Sequence, residues 1–471
     1  MERSAQLFSQ ELVSAVIKAY DVRGLVGEQI GAEFVRAVGA SFARLMKGEG
    51  QRAVVVGHDM RESSPGLAEA FADGALDEGL DVTLIGLAST DQLYFASGIL
   101  DRPGAMFTAS HNPASYNGIK MCRAGAKPVG QDSGLATISR ELVEGLGTES
   151  AGPGGDAGTP TTRGVLDERD VLKDYAAFLH KLVDLSGLRH LTVAVDAGNG
   201  MGGHTVPVVL GGSEAFTVRS LYFELDGTFP NHEANPLDPK NLVDLQAYVK
   251  ETGADIGLAF DGDADRCFVV DELGDPVSPS AVTALVAERE LAKNPGSVVI
   301  HNLITSRAVP ELVRELGGVP LETRVGHSFI KAQMAETGAV FGGEHSAHYY
   351  FRDFWGADSG LLAAMHVLAA LGSSDQPLSK MMARYERYAS SGEINSTVDD
   401  QAARTAAVLA DFGDEITGTA RMDGVTVDLA DGSWFNLRAS NTEPLLRLNV
   451  EAATTERVHE LTERILGVVR G

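Results

Sequence analysis

The strongest constraint on this chain is a rhythm. As far as about residue 370, short β-branched runs alternate with longer stretches of helical periodicity. AVVVGHD (53–59), DVTLIGL (81–87) and GAMFTAS (104–110) read as strands, and PGLAEAFADGALDEG, between the first two, reads as a helix. Repeated β-α-β units of this kind build largely parallel sheets covered by helices. The rhythm breaks at ESAGPGGDAGTPTTRG (149–164), whose Gly, Pro, Ser and Thr offer no periodic apolar face, and this stretch reads as a linker. It restarts with LTVAVDAGNG (191–200), AFTVRSL (215–221), ADIGLAFD (254–261) and CFVVDE (267–272), then again with SVVIHN (297–302), VPLETRV (319–325) and AVFGGEHS (339–346). After LGSSDQP (371–377) the pattern changes. GEINSTV (392–398), a helix-like DQAARTAAVLADF, GVTVDL, SWFNLRAS, LLRLNVEA and a closing TTERVHELTERILGVVR predict a small α+β domain with an antiparallel sheet. The expected divisions are 1–160, 161–275, 276–387 and 388–471.

Charge narrows the function classes. Lys and Arg number 39 against 65 Asp and Glu, a formal charge of −26. Nucleic-acid binders need clustered cations to displace counterions, so nucleic acid is not an expected ligand. The start, MERSAQLFSQELVSAV, has no basic region followed by an apolar core, and no charge-free run is long enough to span a bilayer. With only Cys122 and Cys267, a disulfide framework is excluded and a reducing, cytoplasmic setting is expected.

Four segments carry candidate chemistry. In FDGDADRC (260–267), Asp261, Asp263 and Asp265 alternate with Gly262 and Ala264 just after an apolar strand. Three such carboxylates repel one another unless a cation neutralises them, and hard oxygen ligands favour Mg²⁺ or Ca²⁺. An acidic surface turn is the plain alternative. An EF-hand would use the same aspartates with Glu272, but it needs Gly where this chain has Arg266, and the flanks read as strands. A Mg²⁺ site at the carboxyl edge of a sheet is therefore expected.

FTASHNPASYNGIK (107–120) ends a strand in Thr-Ala-Ser-His-Asn-Pro, with Pro113 and Asn117-Gly118 expected to form turns that expose Ser110. Ser110, with His111 beside it and Lys120 further on, suits a nucleophile or phosphoryl carrier, although a serine-rich structural turn explains Ser-His-Asn-Pro taken alone. In GGEHSAHYYF (342–351), Glu344, Ser346 and His348 alternate, which predicts one shared face suited to a sugar, or equally a solvated edge strand. LRASNTEPLLRL (437–448) offers Arg438, Ser440, Asn441 and Thr442 in a loop between strands, a donor set for a phosphate dianion or else a solvated turn. KAYDVRG (18–24) adds Arg23.

In this order KAYDVRG, TASHNP, GIK, DGDADR, GEHSAH and RASNTEP resemble the α-D-phosphohexomutase superfamily, most closely its bacterial phosphomannomutase/phosphoglucomutase branch. The resemblance covers nearly the whole chain. It implies three successive related α/β domains with mixed, largely parallel sheets and a C-terminal α+β domain, arranged around a central cleft. It further implies a phosphoserine at Ser110, with Asp261, Asp263, Asp265 and the serine's phosphate holding Mg²⁺ and Arg266 supporting the loop. Arg23 and Lys120 would assist proton transfer, Glu344 and Ser346 would bind sugar hydroxyls, and His111 and His348 would act in the active site. Arg438, Ser440, Asn441 and Thr442 would hold the non-reacting phosphate. The activity implied is interconversion of mannose 6-phosphate and mannose 1-phosphate through a hexose 1,6-bisphosphate, which also serves as activator, with possible turnover of glucose phosphates. Alternatives are a phosphoglucomutase, a phosphoglucosamine mutase or, in another class, a non-catalytic sugar-phosphate binding protein. Hexose phosphates are the expected partners, with no membrane and no obligate protein partner. Two positions depart from the dual-specificity branch: His345 stands where Met is usual, and Ala347 where Gly is usual.

Overall fold

The computed structural model describes residues 8–145, 162–439 and 445–471. They form two compact units, Met1–Pro276 with His348–Leu378, and Val277–Ala347 with Ser379–Gly471.

In the first unit one sheet runs in the order Val22–Leu25, Tyr116–Arg123, Gly104–Phe107, Ala53–His58, Asp81–Leu87, Leu166–Glu168. Its last four strands are parallel, and Tyr116–Arg123 is antiparallel to both of its neighbours. Helices Ala32–Gly48 and Ser64–Asp77 pack closely because glycine faces backbone at the crossing. A Cβ on Gly39 would lie 2.2 Å from the Phe71 carbonyl oxygen, and one on Gly74 would lie 2.0 Å from that of Arg36. Phe34, Val38, Phe42 and Met46 fill the core beneath.

A second sheet runs Cys267–Asp271, Ile256–Phe260, Leu191–Asp196, Phe216–Leu221. Its last three strands are parallel, while Cys267–Asp271 returns antiparallel to Ile256–Phe260. The two strands are buried along their whole length, which is why they read as continuous apolar runs. The antiparallel pair Tyr349–Phe351 and Ala357–Asp358 leads into the deeply buried helix Gly360–Gly372.

In the second unit Val298–Asn302 lies between Val319–Thr323 and Phe341–Gly343, all parallel. The C-terminal sheet is antiparallel, in the order Ala389–Thr397, Leu445–Ala452, Trp434–Ala439, Val425–Leu429, Ile416–Ala420. Helices Gln401–Phe412 and Thr455–Arg470 bury Val408, Phe412, Leu461 and Ile465 in the same core as Val427, Phe435 and Leu448. The two predicted architectures, parallel-rich α/β and then antiparallel α+β, are both present.

Several local expectations need correction. Asn117-Gly118 is not a turn but lies in the strand Tyr116–Arg123, whose pairing extends to Leu25. Arg438 lies within the strand Trp434–Ala439 rather than in a loop. Ser110 is buried, not exposed. The predicted strand around Glu344 stops at Gly343, because Ala347 takes a left-handed conformation (φ 63) and its N–H closes a turn onto the Glu344 carbonyl at 3.1 Å. Period two therefore does not apply from Glu344 to His348. Most of the expected linker falls outside the described residues.

Candidate active site

The candidate centre of the first unit assembles at the carboxyl ends of two sheets. Ser110 follows the strand Gly104–Phe107, and the aspartate loop follows Ile256–Phe260. The loops approach so closely that a Cβ on Gly262 would lie 2.4 Å from the Ser110 carbonyl oxygen. Glycine is required there. Ser110 (φ 49) and Ala264 (φ 60) both adopt the left-handed conformation that most side chains avoid. Such strain persists where surrounding contacts over-determine it, and it concentrates at functional sites.

The Ser110 hydroxyl donates to Asp261 Oδ2 at 2.7 Å. Arg266 donates from Nε to the same oxygen at 2.9 Å and from Nη2 to His111 Nδ1 at 2.6 Å, with Nη2 also 3.4 Å from Ser110 Oγ. Burial and the nearby Arg266 guanidinium hold the His111 imidazole well below its ordinary pKa. His111 Nδ1 is thus a neutral acceptor engaged by Arg266, and Asp261 is the acceptor that receives the serine proton. Burial pushes the Asp261 carboxyl up to about 7, against the pull of Arg266.

Lys120 Nζ reaches Asp263 Oδ2 at 2.7 Å and Asp265 Oδ2 at 2.6 Å. Burial disfavours both the ammonium and the Asp263 carboxylate. Their attraction outweighs it, raising the Lys120 pKa and depressing that of Asp263, which also accepts from the Thr90 hydroxyl at 2.6 Å. His348 pairs by backbone with Arg266, and its Nε2 lies 3.7 Å from Asp265 Oδ1. Arg23 donates to Asn112 Oδ1 at 2.8 Å and to Asp21 at 2.5 Å.

The donor set fits a hard divalent cation. Ligand atoms of Asp261, Asp263 and Asp265 lie within 4.8 Å of one another. Among the described residues, Asp263 Oδ1 and Asp265 Oδ1 are buried without a hydrogen-bond partner. Buried carboxylate oxygens left unpaired are costly unless a cation takes them. The EF-hand alternative fails here too, since strands flank the loop.

In the second unit Glu344 Oε1 accepts from Asn302 Nδ2 and from the Gly326 N–H, each at 3.1 Å. Arg438 Nη2 pairs with Glu393 at 2.9 Å, and Asp423 lies 3.7 Å from Nη1. Among the described residues Arg438 Nε is a buried donor with no partner, as an anion site requires. Ser346 is partly buried in the turn after Glu344. Ser440, Asn441 and Thr442 lie outside the described residues.

Residues that sequence reasoning did not single out support these groups. Thr90 holds Asp263, Asn302 holds Glu344, and Asp59 and Arg61 brace the serine loop. The signal for the last pair was an Asp-x-Arg at the carboxyl end of the strand Ala53–His58, directly before a helix. Thr90 and Asn302 carried no local signal, because their partners are distant in sequence.

A buried serine hydroxyl directed at a carboxylate cluster, with arginine and lysine around it at the carboxyl ends of parallel strands, is the arrangement of a phosphoryl-transferring enzyme. Residues 14–144, 173–274 and 278–388 match the alpha/beta/alpha domains I, II and III of the phosphoglucomutase/phosphomannomutase family, and 393–468 match its C-terminal domain. The chain is 40% identical over 458 residues to a protein of Xanthomonas campestris named for phosphohexose mutases, covering 96% of this chain and 99% of the relative. It is 37% identical over 462 residues to an Escherichia coli phosphomannomutase, covering 96% and 98%. The crystal structure of a phosphoglucomutase/phosphomannomutase family protein from Burkholderia thailandensis superposes with a TM-score of 0.84 at 33% identity, covering 98% of both chains. The chain belongs to the phosphoglucomutase/phosphomannomutase family of the α-D-phosphohexomutase superfamily, and it is an enzyme of the phosphohexomutase class.

Proposed function

We propose that this enzyme is a Mg²⁺-dependent phosphomannomutase that also turns over glucose phosphates, with Ser110 as phosphoryl carrier. The observation that carries the reading is the Ser110 hydroxyl set 2.7 Å from Asp261 at the head of the buried aspartate loop. Near full-length relatives named phosphomannomutase support the choice of substrate.

Ser110 carries the phosphoryl group and passes it to the free 1- or 6-hydroxyl of a hexose monophosphate, so one O–P bond breaks as another forms. The attacking hydroxyl gives up its proton as its O–P bond forms and Ser110 Oγ takes up a proton as it leaves, with Lys120, Arg23 and His348 as the groups proposed to assist that exchange. Arg266 and Lys120 hold positive charge beside the transferred group, where it stabilises the transition state most. The resulting 1,6-bisphosphate turns end for end and returns its other phosphate to Ser110. Asp261, Asp263 and Asp265 would hold Mg²⁺, which when bound offsets charge on the transferred phosphoryl group. Glu344 and Ser346 would bind sugar hydroxyls, and Arg438 with Ser440, Asn441 and Thr442 would hold the second phosphate. The boundaries 1–160, 161–275, 276–387 and 388–471 are the proposed domain limits, and the cytoplasm is the proposed location. Among the described residues, no helix is long and apolar enough to cross a membrane.

Steady-state kcat/KM with mannose, glucose and glucosamine phosphates tests the substrate. Mannose phosphate is expected to lead with glucose phosphate close behind, since the two differ only at the 2-hydroxyl. A preference for the amino sugar contradicts the reading.

A further inference from the structure

The loop that carries Ser110 is wrapped around a buried cation with no part in the chemistry above. Arg61 lies between the strand Ala53–His58 and the helix Ser64–Asp77 and is 2% exposed. Its Nη1 donates to the carbonyl oxygens of Pro113 at 2.8 Å and Tyr116 at 3.0 Å. Its Nη2 donates to those of Ser110 at 2.9 Å and Asn112 at 2.7 Å. Nε is held by Asp59 Oδ2 at 3.2 Å, so every guanidinium nitrogen has its partner. Asp59 is fixed in turn, its Oδ1 accepting from the Arg61 N–H at 3.0 Å and from the Ser64 hydroxyl at 2.6 Å. The Phe229 ring covers the guanidinium at 5.1 Å.

Converging carbonyl dipoles repel one another, and a loop that points four of them at one spot needs a cation there. A planar guanidinium supplies paired donors at both ends of a rigid fork, which a lysine ammonium cannot reproduce. The Ser110 carbonyl is among the four, and Ser110 is also a left-handed residue, so Arg61 holds the strained unit itself and not merely its flanks.

We propose that Arg61 is a positioning residue for phosphoryl transfer: by clamping the carbonyls of residues 110, 112, 113 and 116 it sets where Ser110 Oγ stands against Asp261 and Arg266, and hence the rate at which phosphate enters and leaves that oxygen. The inference rests on the reading of Ser110 as phosphoryl carrier.

The test uses the full chain as Arg61→Lys and Arg61→Ala, with folding checked by circular dichroism and steady-state kinetics on mannose and glucose phosphates. Both variants are expected to lose about 10²-fold in kcat, the cost of a displaced reacting group, with KM little changed. Millimolar guanidinium is expected to restore part of the Arg61→Ala kcat, and methylammonium is not. A folded Arg61→Lys with wild-type kcat, or equal rescue by both cations, overturns the proposal. If neither Arg61 variant folds, Asp59→Asn carries the test, since it frees Nε while keeping shape; a drop in kcat alone supports the role and an unchanged kcat overturns it. Wild-type enzyme incubated with glucose 1,6-bisphosphate is followed in parallel by intact mass. If it never gains phosphate on Ser110, the carrier reading fails. If it does, and the Arg61 variants are charged and discharged at its rate, only the role of Arg61 fails.

Discussion

At the scale of single residues, the serine loop shows how burial changes what a motif means. Ser110-His111 read in sequence as a hydroxyl beside a base, and Ser110 Oγ does lie 3.2 Å from His111 Nδ1, but Arg266 already donates to that nitrogen and the serine donates to Asp261 at the shorter 2.7 Å. The aspartate triplet was legible because its spacing confines three carboxylates to one loop. The roles of Arg61 and Thr90 were not, because a guanidinium's value lies in which carbonyls surround it. Asp263→Asn removes a charge from the proposed metal cluster and leaves Asp263's size. It is expected to lower activity by roughly 10- to 100-fold through weaker Mg²⁺ binding, in the range seen when a metal site is perturbed. Titration with Mg²⁺ should recover part of that loss, and complete indifference to the substitution contradicts the metal reading.

At the scale of elements, the helix Thr90–Leu100 ties the site to the frame. Thr90 bonds Asp263, while the neighbouring Asp91 carboxylate accepts from Tyr175 and Ser359 hydroxyls at 2.6 Å each and from Ser89 at 2.5 Å. Asp91 therefore joins this helix to Leu172–Leu182 and to the start of Gly360–Gly372. Burial pushes its carboxyl from 3.8 up to about 6, although the three hydroxyl hydrogen bonds act against the shift. Between those values the folded state holds the proton more than the unfolded chain does, so this group's contribution to stability falls as pH rises from about 4 to about 6. A two-unit shift corresponds to on the order of 3 kcal/mol. In Asp91→Asn the decline of unfolding midpoint with rising pH across that window should be shallower than in the wild type; an identical slope contradicts the burial argument. Strands such as Asp81–Leu87 were legible to the residue, because a period-two or wholly apolar pattern is local. The turn at Glu344–Ala347 was not, since a left-handed alanine leaves no mark in hydropathy.

At the scale of the whole molecule, the net charge of −26 sets a problem for an enzyme of dianionic sugar phosphates. The cations that answer it are few and anchored by acids: Arg266 on Asp261, Lys120 on Asp263 and Asp265, Arg438 on Glu393. An anchored cation keeps its charge and its place, but with each of these paired to at least one carboxylate the side chains alone carry no net positive charge, so attraction of a dianion calls for the proposed Mg²⁺. Domain order was legible because each architecture has its own periodicity, whereas the grouping into compact units depends on contacts that no local pattern encodes. The central claim is that Ser110 carries the transferred phosphate. Intact mass spectrometry after incubation with glucose 1,6-bisphosphate tests it most directly: wild-type enzyme should gain about 80 Da and about two negative charges, and Ser110→Ala should gain nothing. A wild-type enzyme that turns over hexose phosphates yet never carries that mass on Ser110 would contradict the account.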